Sequence, residues 1–453
     1  MVNNSGRLFL GIMTNSGLWG AIISTLVITF LGFILYKKKV LNDHSSNSIQ
    51  KIVISIIIPF LSFYSFLTNA DSKDIKTIGI VFGLSAIYYF LLTTIAIIWV
   101  KYLPHAIPKR VLQKAEAEFV EYQLKLELNQ RQIFSLGNYF ESLQKKHLVT
   151  WLMCIYGSNI LFATPIVIGV FPNGIELGSL SIWNTLYYIG GFGLSFSLLA
   201  GTKFSKEEFK HTFKKAFLNP AFIAIIVAIT LWATQYIPKA GVYIEDITPF
   251  SAKILKDGKE STVFFSLKGT YGPNFSELYG LKIVDPISNK EVIQWFVYEK
   301  LHAIYVPYLN NPTGWFDWKI TMPYIAKPIT ILVSLISPLI WMVIGTSLAK
   351  TNLKEMFTKK ENWLFLIYKS ILIPIFILCL VIPFVKSKLL SANVGSVLVM
   401  TGAVPPGTSI VLYSQHLKVH EKYTSQVSSL STITSFVFIP LWLVIGIVTL
   451  NIV

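Results

Sequence analysis

The chain has 453 residues, 53% of them hydrophobic and 14% charged, with a mean hydropathy of +0.58, far too apolar for a soluble domain of ordinary composition. Its formal charge of +16 is spread between apolar segments rather than gathered on one polar domain, which argues against nucleic acid as a partner. The two cysteines, Cys154 and Cys379, both fall in apolar segments and imply neither a disulfide framework nor a metal site.

Apolar runs near the ~20 residues that cross a bilayer core predict a polytopic all-α membrane protein. Ten spans are expected near 17–36, 52–69, 77–100, 148–171, 181–201, 219–238, 326–349, 364–385, 392–414 and 426–451. The opening MVNNSGRLFLGIMTNS lacks a signal-peptide cleavage pattern, so span 1 is read as an uncleaved anchor. Lysine and arginine set orientation, because positively charged flanks stay in the cytoplasm. Loop 1/2 carries Lys37, Lys38, Lys39 and Lys51; loop 3/4 carries Lys109, Arg110, Lys145 and Lys146; loop 5/6 carries Lys203, Lys206, Lys210, Lys214 and Lys215. Loop 7/8 has Lys350, Lys354, Lys359 and Lys360, and loop 9/10 has Lys418 and Lys422, so both termini are expected to be extracytoplasmic.

Five domains follow: 1–103 with spans 1 to 3, 104–147 as a cytoplasmic amphipathic helical insertion, 148–238 with spans 4 to 6, 239–325 as an outer insertion, and 326–453 with spans 7 to 10. The first insertion mixes Glu116, Glu118, Glu121 and Glu127 with Leu and Phe. In the second, STVFFSLKG, ELYGLKIVD and KEVIQWFVYEK alternate between turn formers such as KDGK, YGPN and DPISN, which predicts a small β-rich extracytoplasmic domain.

Ten spans with both ends on one side divide into two sets of five, and the second copy of an odd-numbered unit must insert inverted. The fourth span of each set is interrupted: YGSNILFATPIVIG contains Pro165, and TGAVPPGTSIV contains Pro405, Pro406 and Gly407. Proline removes a backbone donor and glycine relaxes the backbone. Broken backbone at membrane depth belongs inside protein or beside a water-filled cavity. Matched breaks point to a transporter site whose half-helix N-termini suit an anion. Ser158, Asn159 and Thr164 in span 4, Asn184 in span 5, and Thr408 and Ser409 in span 9 are the candidate substrate contacts. Spans 4, 5, 9 and 10 carry no Asp, Glu, Lys or Arg in their apolar stretches, which disfavours an aspartate-based cation exchanger. Lys369 in span 8 is expected to snorkel to the cytoplasmic surface.

The chain resembles the auxin efflux carrier family, which includes plant auxin exporters and bacterial malate and malonate permeases. The matching pieces, in order, are SIIIPFLSF, SNILFATP, SIWNTLYY, LNPAFIAIIVAI, PLIWMVIGTSLAK, KSILIPIF, VPPGTSIVL and SSLSTITSFVFIPLWLVI. The resemblance implies a ten-helix 5+5 inverted repeat in which broken helices 4 and 9 cross, with Pro165, Pro405, Pro406 and Gly407 at the crossover and Asn159 and Asn184 touching substrate. It further implies a scaffold of spans 1, 2, 6 and 7, often dimeric, and a mobile domain of spans 3 to 5 and 8 to 10. The chain departs from the family by placing Ser158 seven residues before the proline, where an asparagine is usual, with Asn159 one residue nearer.

The expected function is secondary transport of a small organic acid anion, malate-like or another carboxylate, across the plasma membrane by an elevator displacement. The partners are the lipid bilayer, that anion and a second copy of the chain in a homodimer. Neither enzymatic chemistry nor a cofactor or metal is expected, and the coupling ion, H+ or Na+, stays open. The alternative is a transporter-fold sensor or receptor that uses the outer insertion.

Overall fold

The computed structural model describes residues 11, 14, 16–70, 74–102, 113, 116–117, 119–120, 136–171, 175–200, 218–237, 240–256, 259–269, 277–284, 291–350 and 353–453. Most of the 104–147 insertion, with Glu118, Glu121 and Glu127, lies outside the described residues, as do Lys109, Arg110 and the five lysines of loop 5/6.

Six helices are long and apolar enough to cross a membrane: α1 (Ser16–Lys37), α2 (Asp43–Tyr64), α3 (Asp74–Val100), α8 (Pro323–Lys350), α9 (Lys360–Lys386) and α12 (Glu421–Ile452). They coincide with predicted spans 1, 2, 3, 7, 8 and 10, and the chain is a multi-pass membrane protein. The remaining predicted spans are shorter or divided. Span 4 is split into α4 (Leu136–Ile155) and α5 (Asn159–Val170), and span 9 into α10 (Ala392–Thr401) and α11 (Thr408–His416). Span 5 corresponds to α6 (Glu176–Ile189) and its continuation to Ala200, and span 6 to α7 (Pro220–Tyr236). Because α4 begins at Leu136, the last part of the expected cytoplasmic insertion is helical and continuous with the start of predicted span 4.

Local signals set these ends. Asn42 caps α2 by accepting the Ser45 N–H at 2.8 Å, and Ser391 caps α10 by accepting from Val394 N at 3.2 Å. Wide i→i+5 turns interrupt the described helices at Val53–Ile57 in α2, Ile87–Leu91 in α3 and Ile98–Tyr102 at its end, Gly190–Leu194 after α6, and Tyr368–Leu372 in α9.

The described residues form two compact units, one of Met1–Val53, Gly79–Phe222 and Ser337–Val453, the other of Ile54–Ile78 and Ile223–Ile336. In the first, α1 lies against the second half of α8 at two glycines. A Cβ on Gly32 would come within 2.3 Å of Met342 O, and one on Gly345 within 2.1 Å of Thr29 O, so only glycine admits this backbone approach.

The second unit contains the expected β domain, a closed five-stranded barrel of β1 (Ile244–Lys256), β2 (Lys259–Gly269), β3 (Leu278–Val284), β4 (Glu291–Glu299) and β5 (Ile304–Tyr308). Neighbours are antiparallel, and a parallel contact between Ile254 and Tyr305 closes the ring. Lys256 of β1 pairs with Lys259 of β2, and the three predicted runs fall in β2, β3 and β4. Alternate inward residues build a hydrophobic core of Ile254, Phe265 and Phe296, packed by the rings of Phe250, Tyr279 and Tyr305. In the same unit Asp317 is buried, and desolvation raises its carboxyl to about 6, with Lys319 partly opposing the shift.

Candidate functional site at a helix crossover

The interruptions in spans 4 and 9 meet. Gly157 pairs with Pro406 in an isolated antiparallel bridge, with Ser158 N–H donating to Pro405 O at 2.7 Å and Gly407 N–H to Tyr156 O at 2.8 Å. Each broken helix thus satisfies the backbone groups that the other has released, which an apolar surrounding demands.

Two glycines make room for the bridge. A Cβ on Gly157 would lie 2.4 Å from Val404 Cγ2 and 3.0 Å from Lys369 Nζ, and one on Gly407 would lie 2.3 Å from the Tyr187 hydroxyl. Pro165 is not at the break, which corrects the sequence expectation. It lies inside α5, whereas the chain leaves helical geometry at Tyr156–Ser158. The close approach there needs a missing Cβ more than a missing N–H. Pro405, Pro406 and Gly407 do occupy the interruption between α10 and α11.

Three successive carbonyls at the end of α4 and just beyond it, those of Cys154, Ile155 and Tyr156, are engaged. In a continuous helix Cys154 O would accept from Ser158 N–H, four residues on; that donor goes to Pro405, and Lys369 Nζ donates to Cys154 O instead, at 2.8 Å. Ile155 O accepts from the Tyr88 hydroxyl at 2.9 Å, and Tyr156 O from Gly407. Lys369 is 0% exposed, so the expected snorkelling is corrected: the wide turn at Tyr368–Leu372 aims its stem into the protein toward an orphan carbonyl.

Asn159, Asn184, Ser158 and Thr164 are all buried. Asn159 Nδ2 donates to Asn184 Oδ1 at 2.9 Å and to the Tyr89 hydroxyl at 3.2 Å, while its Oδ1 accepts no hydrogen bond among the described residues. Aromatic rings close around this pair: Tyr89 stacks on Tyr156 at 5.4 Å, and Tyr88 lies 5.2 Å from Trp183. Thr93 holds the Tyr156 hydroxyl at 2.9 Å. Tyr88 and Tyr89 occupy the wide turn of α3, as Lys369 occupies that of α9.

The other side of the crossover is open. A cavity of about 240 Å³ is lined by Leu161, Phe162, Pro405, Pro406 and Thr408, and by a hydroxyl-rich wall of Ser46, Thr346, Ser347, Ser425, Ser428, Ser429 and Thr432, with Lys350, Gln50 and Gln415 also lining it. Of the predicted contacts, Thr408 lines this cavity; Asn159, Asn184, Ser158 and Thr164 are not among its lining residues. Ser409 turns inward and meets the Tyr187 hydroxyl at 3.2 Å. Near this wall Glu355 accepts from Lys422 at 2.8 Å and Lys359 at 3.1 Å. Those two hydrogen bonds hold its carboxyl down at about 2.

Sequence reasoning missed Gly157, Lys369, the tyrosines of the closed side and the serines of α12. The signal for Gly157 was present in YGSN, which supplies a glycine where span 9 supplies PPG.

The profile of the family described as "Membrane transport protein" matches residues 18–113 and 315–443, about half of the chain. Two proteins of Saccharomyces cerevisiae are similar over short stretches. One, named "Uncharacterized transporter YNL095C", is 36% identical over 69 residues, 15% of this chain and 11% of that protein. The other, named "Protein ECM3", is 36% identical over 89 residues, 20% of this chain and 14% of its own length. The chain therefore spans a small fraction of either relative. The profile match covers both α10 with α11 and the predicted motifs of spans 7 to 10, and over its two blocks the chain belongs to the membrane transport protein family.

Proposed function

We propose that this protein is a secondary transporter of a small organic anion in the plasma membrane. The observation that carries the reading is the reciprocal bridge between Gly157 and Pro406, at which two helices, α5 and α11, begin. The first N–H groups of a helix have no intrahelical acceptor and carry positive partial charge. Two such ends at one crossover suit a carboxylate, with Thr408 and Asn159 heading them. The hydroxyl wall of the adjoining cavity suits the polar remainder of a malate-like acid.

In this reading the ten spans form two inverted sets of five, both termini are extracytoplasmic, and the unit carrying the crossover moves past a scaffold in an elevator step. The exposed apolar face of α1, with Ile23, Val27 and Phe30, serves lipid contact or the dimer. Purified protein reconstituted in vesicles is expected to carry labelled C3–C6 mono- and dicarboxylates down a gradient, with saturation and cross-inhibition. Absence of flux across such a panel from monodisperse protein would sink the proposal. Binding without flux, lost when residues 239–325 are excised, would replace the transporter with a receptor.

A further inference from the structure

Lys369 is the one buried cation in the described part of the crossover, and its surroundings say what it replaces. In transporters built on broken helices, the C-terminal ends of half-helices and their unwound carbonyls are where coupling cations are coordinated. Here three carbonyls at the corresponding end, that of α4, are occupied. Cys154 O takes the Lys369 ammonium, Ile155 O takes Tyr88 and Tyr156 O takes Gly407. The matching end of α10 closes on itself: Leu398 O accepts from Thr401 Oγ1 at 2.6 Å, and Val399 O and Met400 O accept from Gly402 and Ala403 N–H.

The ammonium is placed by its hydrogen bond to Cys154 O, and its neighbours fix the space around it. The Gly157 Cβ position is 3.0 Å from Lys369 Nζ and 3.3 Å from Asn159 Oδ1, so both atoms border the same point beside the bridge. Next along the chain, Ser370 O accepts from Trp442 Nε1 at 2.7 Å, which pins the wide turn against α12. Spans 4, 5, 9 and 10 offer no carboxylate in their apolar stretches, and among the described residues Cys154 O is the hydrogen-bond acceptor for Lys369. A buried charge without a counter-ion is costly unless dipoles or a ligand charge compensate it. The negative end of the α4 dipole does so continuously, and an anion at the opposite, N-terminal ends would do so during transport.

We propose that Lys369 is a built-in replacement for a coupling cation at the crossover, so that the protein moves its anion without Na+. This rests on the transporter reading above, and the experiment separates the two. Purified wild-type protein is first heated in NaCl, LiCl and choline chloride at equal ionic strength. The expected result is the same melting temperature in all three, because a ligand stabilises only what binds it. Stabilisation specific to Na+ or Li+ would overturn the inference, whether or not any anion is carried. Vesicle flux of a carboxylate is then compared with Na+ or choline outside; it is expected to change less than about twofold, and a fall of about tenfold on Na+ removal would overturn the inference.

Lys369→Met is expected to lower flux at least about tenfold, and Lys369→Arg, which keeps a fixed charge, to retain a measurable part of it. A monodisperse Lys369→Met protein with wild-type flux would overturn the inference. Should that variant not fold, the two wild-type comparisons still decide. Wild-type protein that carries no anion in either salt would count against the transporter reading alone, and the melting comparison would still test the cation site.

Discussion

The two arms of the crossover solve one problem in different ways. In span 4 the helix is interrupted by a glycine, and the gap is filled by Lys369, Tyr88 and the Asn159–Asn184 pair. In span 9 the helix is interrupted by Pro405 and Pro406, and the gap opens on a cavity through Thr408. A glycine break tolerates close packing and invites side chains into the vacated space. A proline break holds the chain away from helical geometry without help from neighbours. The first arm is packed closed, and the second borders the cavity.

The variant expected to strike that contrast hardest is Gly157→Val. Its side chain would enter space held by Val404 Cγ2 and Lys369 Nζ, and no rotamer avoids both. We expect loss of monodisperse protein in size-exclusion chromatography; a normal elution profile would mean that the first arm is looser than drawn. Replacing Pro405 and Pro406 together by alanine should leave a folded protein whose carboxylate flux is reduced about tenfold or more, because helix would propagate through the interruption. Flux at the wild-type level would remove the distinction between the arms.

Smaller changes sharpen it. Asn184→Ala removes the acceptor of Asn159 Nδ2 inside the closed side and should lower thermal stability by about 1–3 kcal/mol. Thr408→Val, at the cavity, should leave melting unchanged and raise the half-saturation concentration about 3- to 10-fold, the worth of one hydrogen bond. A melting shift from Thr408→Val with none from Asn184→Ala would reverse the assignment of packed and open sides.

The smallest effect is expected at Glu355. Its carboxyl is depressed from 4.5 to about 2 by Lys422 and Lys359, so its contribution is present above pH 4.5 and is lost as pH falls through about 2. The melting difference between wild type and Glu355→Gln should therefore be constant from about pH 8 to 5 and shrink only below that. A difference that vanished already at pH 5 would show that these lysines do not hold the carboxylate.

The spans that stand as single helices were legible because an unbroken apolar run of that length has no other use. The β-rich character of the second unit was legible, though not its closure into a barrel, since β2, β3 and β4 alternate between clear turn formers. β1 and β5 were not, because IEDITPFSAKILK and IYVPY lack a clean period. At the crossover, PPG announced itself by composition, whereas Gly157 did not, because a single glycine in an apolar run is ordinary. Lys369 misled for a physical reason: a lysine in an apolar segment usually reaches for water, and only the fold shows an orphan carbonyl nearer at hand. Asn159 and Asn184 were selected by residue type, but their mutual hydrogen bond depends on how α5 and α6 pack.

The wide turn at Tyr368–Leu372 also acts as a phase shifter along span 8. One residue beyond the regular helical repeat rotates everything after it by about 100° relative to everything before. Ser370, whose carbonyl accepts from Trp442, sits within the turn, and Ile377 and Val381, beyond it, are buried. Deleting a single residue there would give a more regular helix whose halves face in incompatible directions. The irregular segment is what keeps the span's two stripes in register with the rest of the molecule.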